Sequence, residues 1–112
     1  MRVKQYENFA EFWPDYVRAH RHPTTRKLHF VGTTNLIVWL LAAAVYRSPK
    51  LLLVAVVSSY TLAWVGHFFI EENIPLTFQY PVKAALGDLL MYMKIWQGKM
   101  DTEVARHNQV GA

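Results

Sequence analysis

Five histidines and a handful of carboxylates are the side chains in this sequence that could do chemistry. The histidines are His20, His22, His29, His67 and His107, and there is no cysteine. Disulfides, thiolate zinc sites, iron–sulfur clusters and a cysteine nucleophile are therefore excluded. A metal would have to be held by His, Asp or Glu. His20 follows Tyr16 by four residues and Val17 by three, so it extends one helical face. His29 has Thr33 one turn on, and His67 has Glu71 one turn on. A histidine and a carboxylate at that spacing can share one metal, or the carboxylate can orient the imidazole. Such donors suit zinc or non-haem iron(II), and two histidines with one carboxylate on one face leave positions open for oxygen chemistry. Taken singly, a histidine at a helix end is more often a neutral imidazole hydrogen-bonded near an interface than a ligand, and it is their convergence that makes the metal case. Asp88 lies inside the apolar stretch Ala84–Met93. It needs a partner such as Arg26 or Lys27, or a metal. His22 and His107 sit among polar residues and read as solvated.

The elements that must position these groups begin with two uncharged runs. Phe30–Tyr46 carries no charge, and Leu51–Ile70 carries none apart from His67. As helices they reach roughly 25 and 30 Å, against a bilayer core of about 30 Å. Arg47-Ser48-Pro49-Lys50 between them is a short turn with a helix-stopping proline. The pattern predicts a helical hairpin with membrane-embedded helices over about 29–46 and 51–70. Both runs are apolar on every face, and too little chain remains to wrap them. A whole-chain mean hydropathy of +0.06 leaves a soluble bundle as the competing reading. In a hairpin, the start of one helix and the end of the other lie at one depth. His29, His67 and Glu71 should converge there, with His20 delivered to the same level by the preceding helix.

At 112 residues the chain is one domain, 1–112. With 53% apolar and 18% charged residues it is not disordered. The net charge is +4. Basic residues gather beside the hairpin, and no nucleic-acid motif, phosphate loop, nucleophile elbow or zinc-protease helix is present. Three acidic residues precede the first run and a second run follows at once, so it is not a signal peptide. Lys and Arg number six in residues 1–29, two in the turn and four in residues 71–112. This bias places both termini in the cytoplasm. Arg18, Arg21, Arg26 and Lys27 could set topology, hold anionic lipid headgroups, or, at Arg21 and Arg26, receive a substrate carboxylate.

Two amphipathic helices should flank the hairpin, giving an all-α four-helix bundle. Val3, Tyr6, Phe9, Phe12, Trp13, Tyr16 and Val17 share one face of the first, which Pro14 should kink or restart. Pro81 opens the other, through about Trp96, with Val82, Ala85, Leu86, Leu89, Leu90 and Met93 at helical spacing. The polar tail 97–112 is expected to fray.

Three blocks of residues resemble the bacterial branch of the Mpo-like family. They are Phe12-Trp13-Pro14-Asp15-Tyr16 with His20-Arg21-His22-Pro23 and Arg26-Lys27-Leu28-His29-Phe30-Val31-Gly32-Thr33; Ala63-Trp64-Val65-Gly66-His67-Phe68-Phe69-Ile70-Glu71-Glu72-Asn73-Ile74-Pro75; and Tyr80-Pro81 with Leu86-Gly87-Asp88 and Met91. Ile74 stands where a basic residue often lies, and His22 where that branch often has Asn. The resemblance spans roughly residues 9 to 93. It implies a membrane-bound iron(II) dioxygenase that shortens 2-hydroxy fatty acids by one carbon, with molecular oxygen as co-substrate. Bacterial inner-membrane localisation would follow. By the same resemblance His20, His29 and His67 match histidines attributed to iron, and Glu71 and Asp88 match acidic positions. Glu71 would be a ligand or an orienting group, and Asp88 an orienting group. Two other readings stand beside it: another metal-dependent lipid enzyme, a zinc hydrolase or a hydroxylase, and a non-enzymatic membrane adaptor.

Overall fold

The computed structural model describes residues 5–108. Among them there are five α-helices and no strand, so the fold is all-α. Helix α1 is Phe9–Arg18. Asn8 caps it by accepting the Glu11 N–H at 3.0 Å, while Glu11 reaches back to the Glu7 N–H at 3.0 Å. This is a variant of the capping box. The helix runs through Pro14 without the restart that proline allowed. Val3 lies outside the described residues. Tyr6 precedes α1 and packs edge-on against Phe12 and Tyr80.

Helix α2, Pro23–Tyr46, starts well before the expected residue 29. Pro23 occupies the first turn, where its missing N–H costs nothing. Arg47 stops the helix in a left-handed conformation, and Pro49 opens the next. Helix α3, Pro49–Val65, continues into a π-helical turn, Gly66–Glu71, which Glu72 ends with φ of 57°. The α2–α3 pair is the expected hairpin. Asn35, in mid-run, donates to Ser58 at 2.6 Å and Ser59 at 3.0 Å and accepts from Trp39 at 3.1 Å. Polar groups satisfied between helices in this way hold an apolar hairpin in register.

A 3-10 turn, Leu76–Phe78, leads to α4, Pro81–Trp96. The buried core joins Phe12, Trp13, Tyr16 and Val17 of α1 to Ala84 and Met91 of α4. Gly87 permits this contact, since a Cβ there would meet the Tyr16 ring at 2.7 Å. The tail expected to fray, 97–112, is helical over most of its described part, and residues 109–112 lie outside the described residues. Met100–His107 forms α5, which seats Met100 in the core and turns Glu103 inward to accept the Trp13 Nε1–H at 2.7 Å. Lys94, Arg106 and His107 surround the same carboxylate, and His107 is partly buried rather than solvated. The core thus lies among α1, α4 and α5, and the hairpin projects from it.

Candidate metal centre

Three helical segments bring their histidines together. His20 is set just past α1, His29 two turns into α2, and His67 on the π turn after α3. Gly66 lets this turn approach α2, because a Cβ there would meet Thr25 Cγ2 at 2.8 Å. A π turn rotates side chains away from their α-helical direction and recurs at functional sites. All three histidines are buried, and one ring nitrogen of each lies within 4.8 Å of the others.

Hydrogen bonds on the far side of each ring decide its tautomer. His20 Nδ1 lies 2.7 Å from the Tyr16 carbonyl, and His29 Nδ1 lies 3.1 Å from the Thr25 carbonyl. A carbonyl can only accept, so each Nδ1 carries the hydrogen. His67 Nδ1 lies 2.7 Å from Asn73 Oδ1, while the Asn73 amide donates to the Ala19 carbonyl at 3.1 Å. With that orientation Asn73 also accepts from His67. In neutral rings the three Nε2 lone pairs are then left without hydrogens. His20 Nε2 and His29 Nε2 stand 3.2 Å apart. Burial, then the neighbouring imidazoles, holds His20 well below its usual pKa, so a proton is a poor guest there. A cation that accepts nitrogen lone pairs fits instead. Bonds of about 2.0–2.1 Å to one ion separate two such nitrogens by roughly 3.0–3.4 Å.

The space beside these rings is a chamber of about 10 Å³, bordered also by Tyr16, Tyr60, Trp64, Thr77 and Asp88. That is the size of one small ion or water. Trp64 Nε1 is buried without an acceptor, a donor that a bound oxygen group would satisfy. Asp88 accepts the Tyr16 hydroxyl at 2.5 Å. It does not use Arg26 or Lys27 as its partner. Burial pushes the Asp88 carboxyl up to about 6, against the Tyr16 hydrogen bond, which favours ionisation. Tyr16 in turn stacks on His20, with ring centres 4.0 Å apart.

The remaining candidates lie outside this group. The Glu71 carboxylate accepts the His22 backbone N–H at 2.8 Å, fastening the α1–α2 link to the π turn. Arg26 is buried and donates to the His20 carbonyl at 2.9 Å and to Asp101 at 3.2 Å. Arg21 is exposed, as is His22, and neither arginine borders the chamber. Asn73 is the residue that spacing did not reveal. It sits six residues beyond His67 and reaches it only because the π turn and the left-handed Glu72 fold the chain back, with the Asn73 N–H on the His67 carbonyl at 2.9 Å.

Compared with known proteins, residues 6–100 match the family described as 2-hydroxy-palmitic acid dioxygenase Mpo1-like. No curated protein and no solved structure matches the chain.

Proposed function

The chain belongs to the Mpo1-like family, and from that premise we propose that it is a membrane-embedded, iron(II)-dependent dioxygenase of 2-hydroxy fatty acids. The observation that carries the metal is the set of three buried imidazoles whose Nδ1 atoms are all tied to oxygen acceptors. His20, His29 and His67 would hold the ion through Nε2. Iron(II) in such a site supplies open coordination positions for a chelating oxygen ligand and for oxygen. A 2-hydroxy acid and one O2 balance to the acid one carbon shorter, carbon dioxide and water.

The chain's own groups orient the substrate. The Trp64 indole N–H and the Tyr60 and Thr77 hydroxyls border the chamber and can donate to a carboxylate. They take the role that the sequence offered to Arg21 and Arg26. The Asp88–Tyr16 pair braces the His20 ring and can hold a proton beside the chamber. Glu71 acts as a positioning residue through His22. Apolar helix walls exclude water from the reacting atoms.

The hairpin would cross the membrane with both termini on the cytoplasmic side. Helices Pro23–Tyr46 and Pro49–Glu71 are each long and apolar enough, with mean hydropathy of 1.7. Only 17% and 22% of their most apolar windows are buried in protein, whereas a soluble core helix is mostly buried.

The test is metal analysis of protein purified anaerobically in mild detergent, beside His29→Ala and His67→Ala. Iron near one equivalent, lost in both variants, is the expected result. Oxygen uptake matched by an acid one carbon shorter then identifies the reaction. Zinc lost in the same way would point to hydrolysis, and wild type that takes up neither metal would leave the adaptor reading.

A further inference from the structure

The histidine chamber continues into a groove of about 180 Å³ between α2, α3 and α4. His29, Tyr60, Ala63 and Asp88 border both spaces. From His29 the groove follows α2 past Gly32 to Leu36. The seven helical steps from His29 to Leu36 measure about 10 Å. Beyond the shared residues its walls include Leu36, Ala85 and Leu89, and its Ser59 hydroxyl already accepts from Asn35 at 3.0 Å. Few polar groups therefore remain to fix a polar guest.

The outer lip is equally informative. Ala85 and Leu89 are both exposed. Leu89 belongs to a stripe on α4, Val82, Leu86, Leu89 and Met93, that is 72%, 50%, 52% and 55% exposed. The groove therefore connects a polar, ion-sized chamber at one end to uncovered apolar surface at the other. A molecule fitting both ends has a polar head and an apolar tail.

We propose that this groove holds the tail of a single-chain amphiphile whose head lies at the three histidines, and that Leu36, Ala85 and Leu89 determine how tail length is read. The inference rests on the dioxygenase reading only for the identity of the head. The stretch from His29 to Leu36, about 10 Å along the helix, is the length of roughly six to eight extended methylenes. A longer tail leaves past Leu89 into whatever apolar phase covers α4. Each enclosed methylene adds about four-fold in affinity.

The experiment measures binding of straight-chain acids, from butanoate to hexadecanoate, to metal-loaded protein in one fixed detergent. Each acid is compared with its 2-hydroxy counterpart. The expected profile rises about four-fold per methylene over roughly six to eight methylenes, then flattens. Leu36→Trp and Ala85→Leu should move the break to shorter chains, with metal content unchanged. Because detergent partitioning is common to all proteins, the shift between wild type and variant is the readout. Affinity independent of chain length, or one break shared by wild type and both variants, would overturn the groove. A length profile as expected, with no preference for the 2-hydroxyl, would support the groove while removing the 2-hydroxy acid from the functional reading.

Discussion

An imidazole is a metal ligand only if the correct nitrogen is bare, and here that choice is made by three oxygen atoms outside the chamber. Two are backbone carbonyls one turn before the histidine they bind, at Tyr16 and Thr25. The third is Asn73 Oδ1. It is the one that substitution can remove without touching a histidine. Asn73→Ala frees the His67 ring to rotate or change tautomer, and outer groups of this kind typically contribute 10–100-fold in metal affinity. We expect a loss in that range by chelator competition, with helix content retained; affinity equal to wild type would show that packing alone holds His67. Glu71→Ala should lower affinity less and leave the stoichiometry unchanged, as its carboxylate is occupied by the His22 N–H. The convergence of His29 and His67 was legible from their positions at the ends of two apolar runs, and that of His20 from the helix that precedes them. Asn73 was not, because side-chain pairing across a π turn and a left-handed residue follows neither helical nor strand periodicity.

Among the elements, α5 shows what pattern reading misses and why. Its eight residues, Met100–His107, include four acidic or basic ones, Asp101, Glu103, Arg106 and His107, and only Met100 and Val104 reach the core. Its fastening is instead a buried carboxylate, and Glu103 looks like any solvated glutamate until Trp13 is seen beside it. The Trp13 hydrogen bond first, then Lys94, Arg106 and His107, hold the Glu103 pKa below its usual 4.5. A depressed folded-state value contributes stability that is present above the unfolded value and disappears as pH falls through the folded one. Glu103→Gln should therefore lower the unfolding temperature at neutral pH, by the equivalent of about 1–3 kcal/mol for a hydrogen bond to a charged group. The difference from wild type should shrink below about pH 4.5. A gap that persists undiminished at low pH would mean that Glu103 acts by shape rather than by charge. The α1–α4 contact offers a second check. Gly87→Ala places a Cβ 2.7 Å from the Tyr16 ring, and overpacking of this kind costs about 1–3 kcal/mol. Because Tyr16 stacks on His20, the same variant should also weaken metal binding.

At the scale of the whole molecule, the hairpin and the histidine centre are one design problem. The core formed by α1, α4 and α5 buries its apolar residues, but α2 and α3 present Val38, Leu41, Val45, Leu53 and Val57 with 55–76% of their surface uncovered. Val38 lies just past the middle of α2, more than two turns beyond His29 and 57% exposed, so it reports on the environment of the hairpin. If lipid covers it, arginine there carries an insertion cost of about 2.5–3.5 kcal/mol. If water covers it, the same change falls within the usual ±0.5 kcal/mol of an exposed position and raises solubility. Val38→Arg should therefore reduce the fraction that resists carbonate extraction, while Val38→Leu leaves it unchanged. Extraction of wild type and Val38→Arg alike into the carbonate wash would instead place the hairpin in a soluble oligomer, where a second copy must cover this face. The outcome also bears on substrate supply. The groove opens at Leu89 onto the same kind of uncovered surface, so under the proposed function a hairpin in lipid would receive its amphiphile sideways from the bilayer, and the shortened product would leave by the route that the tail already occupies.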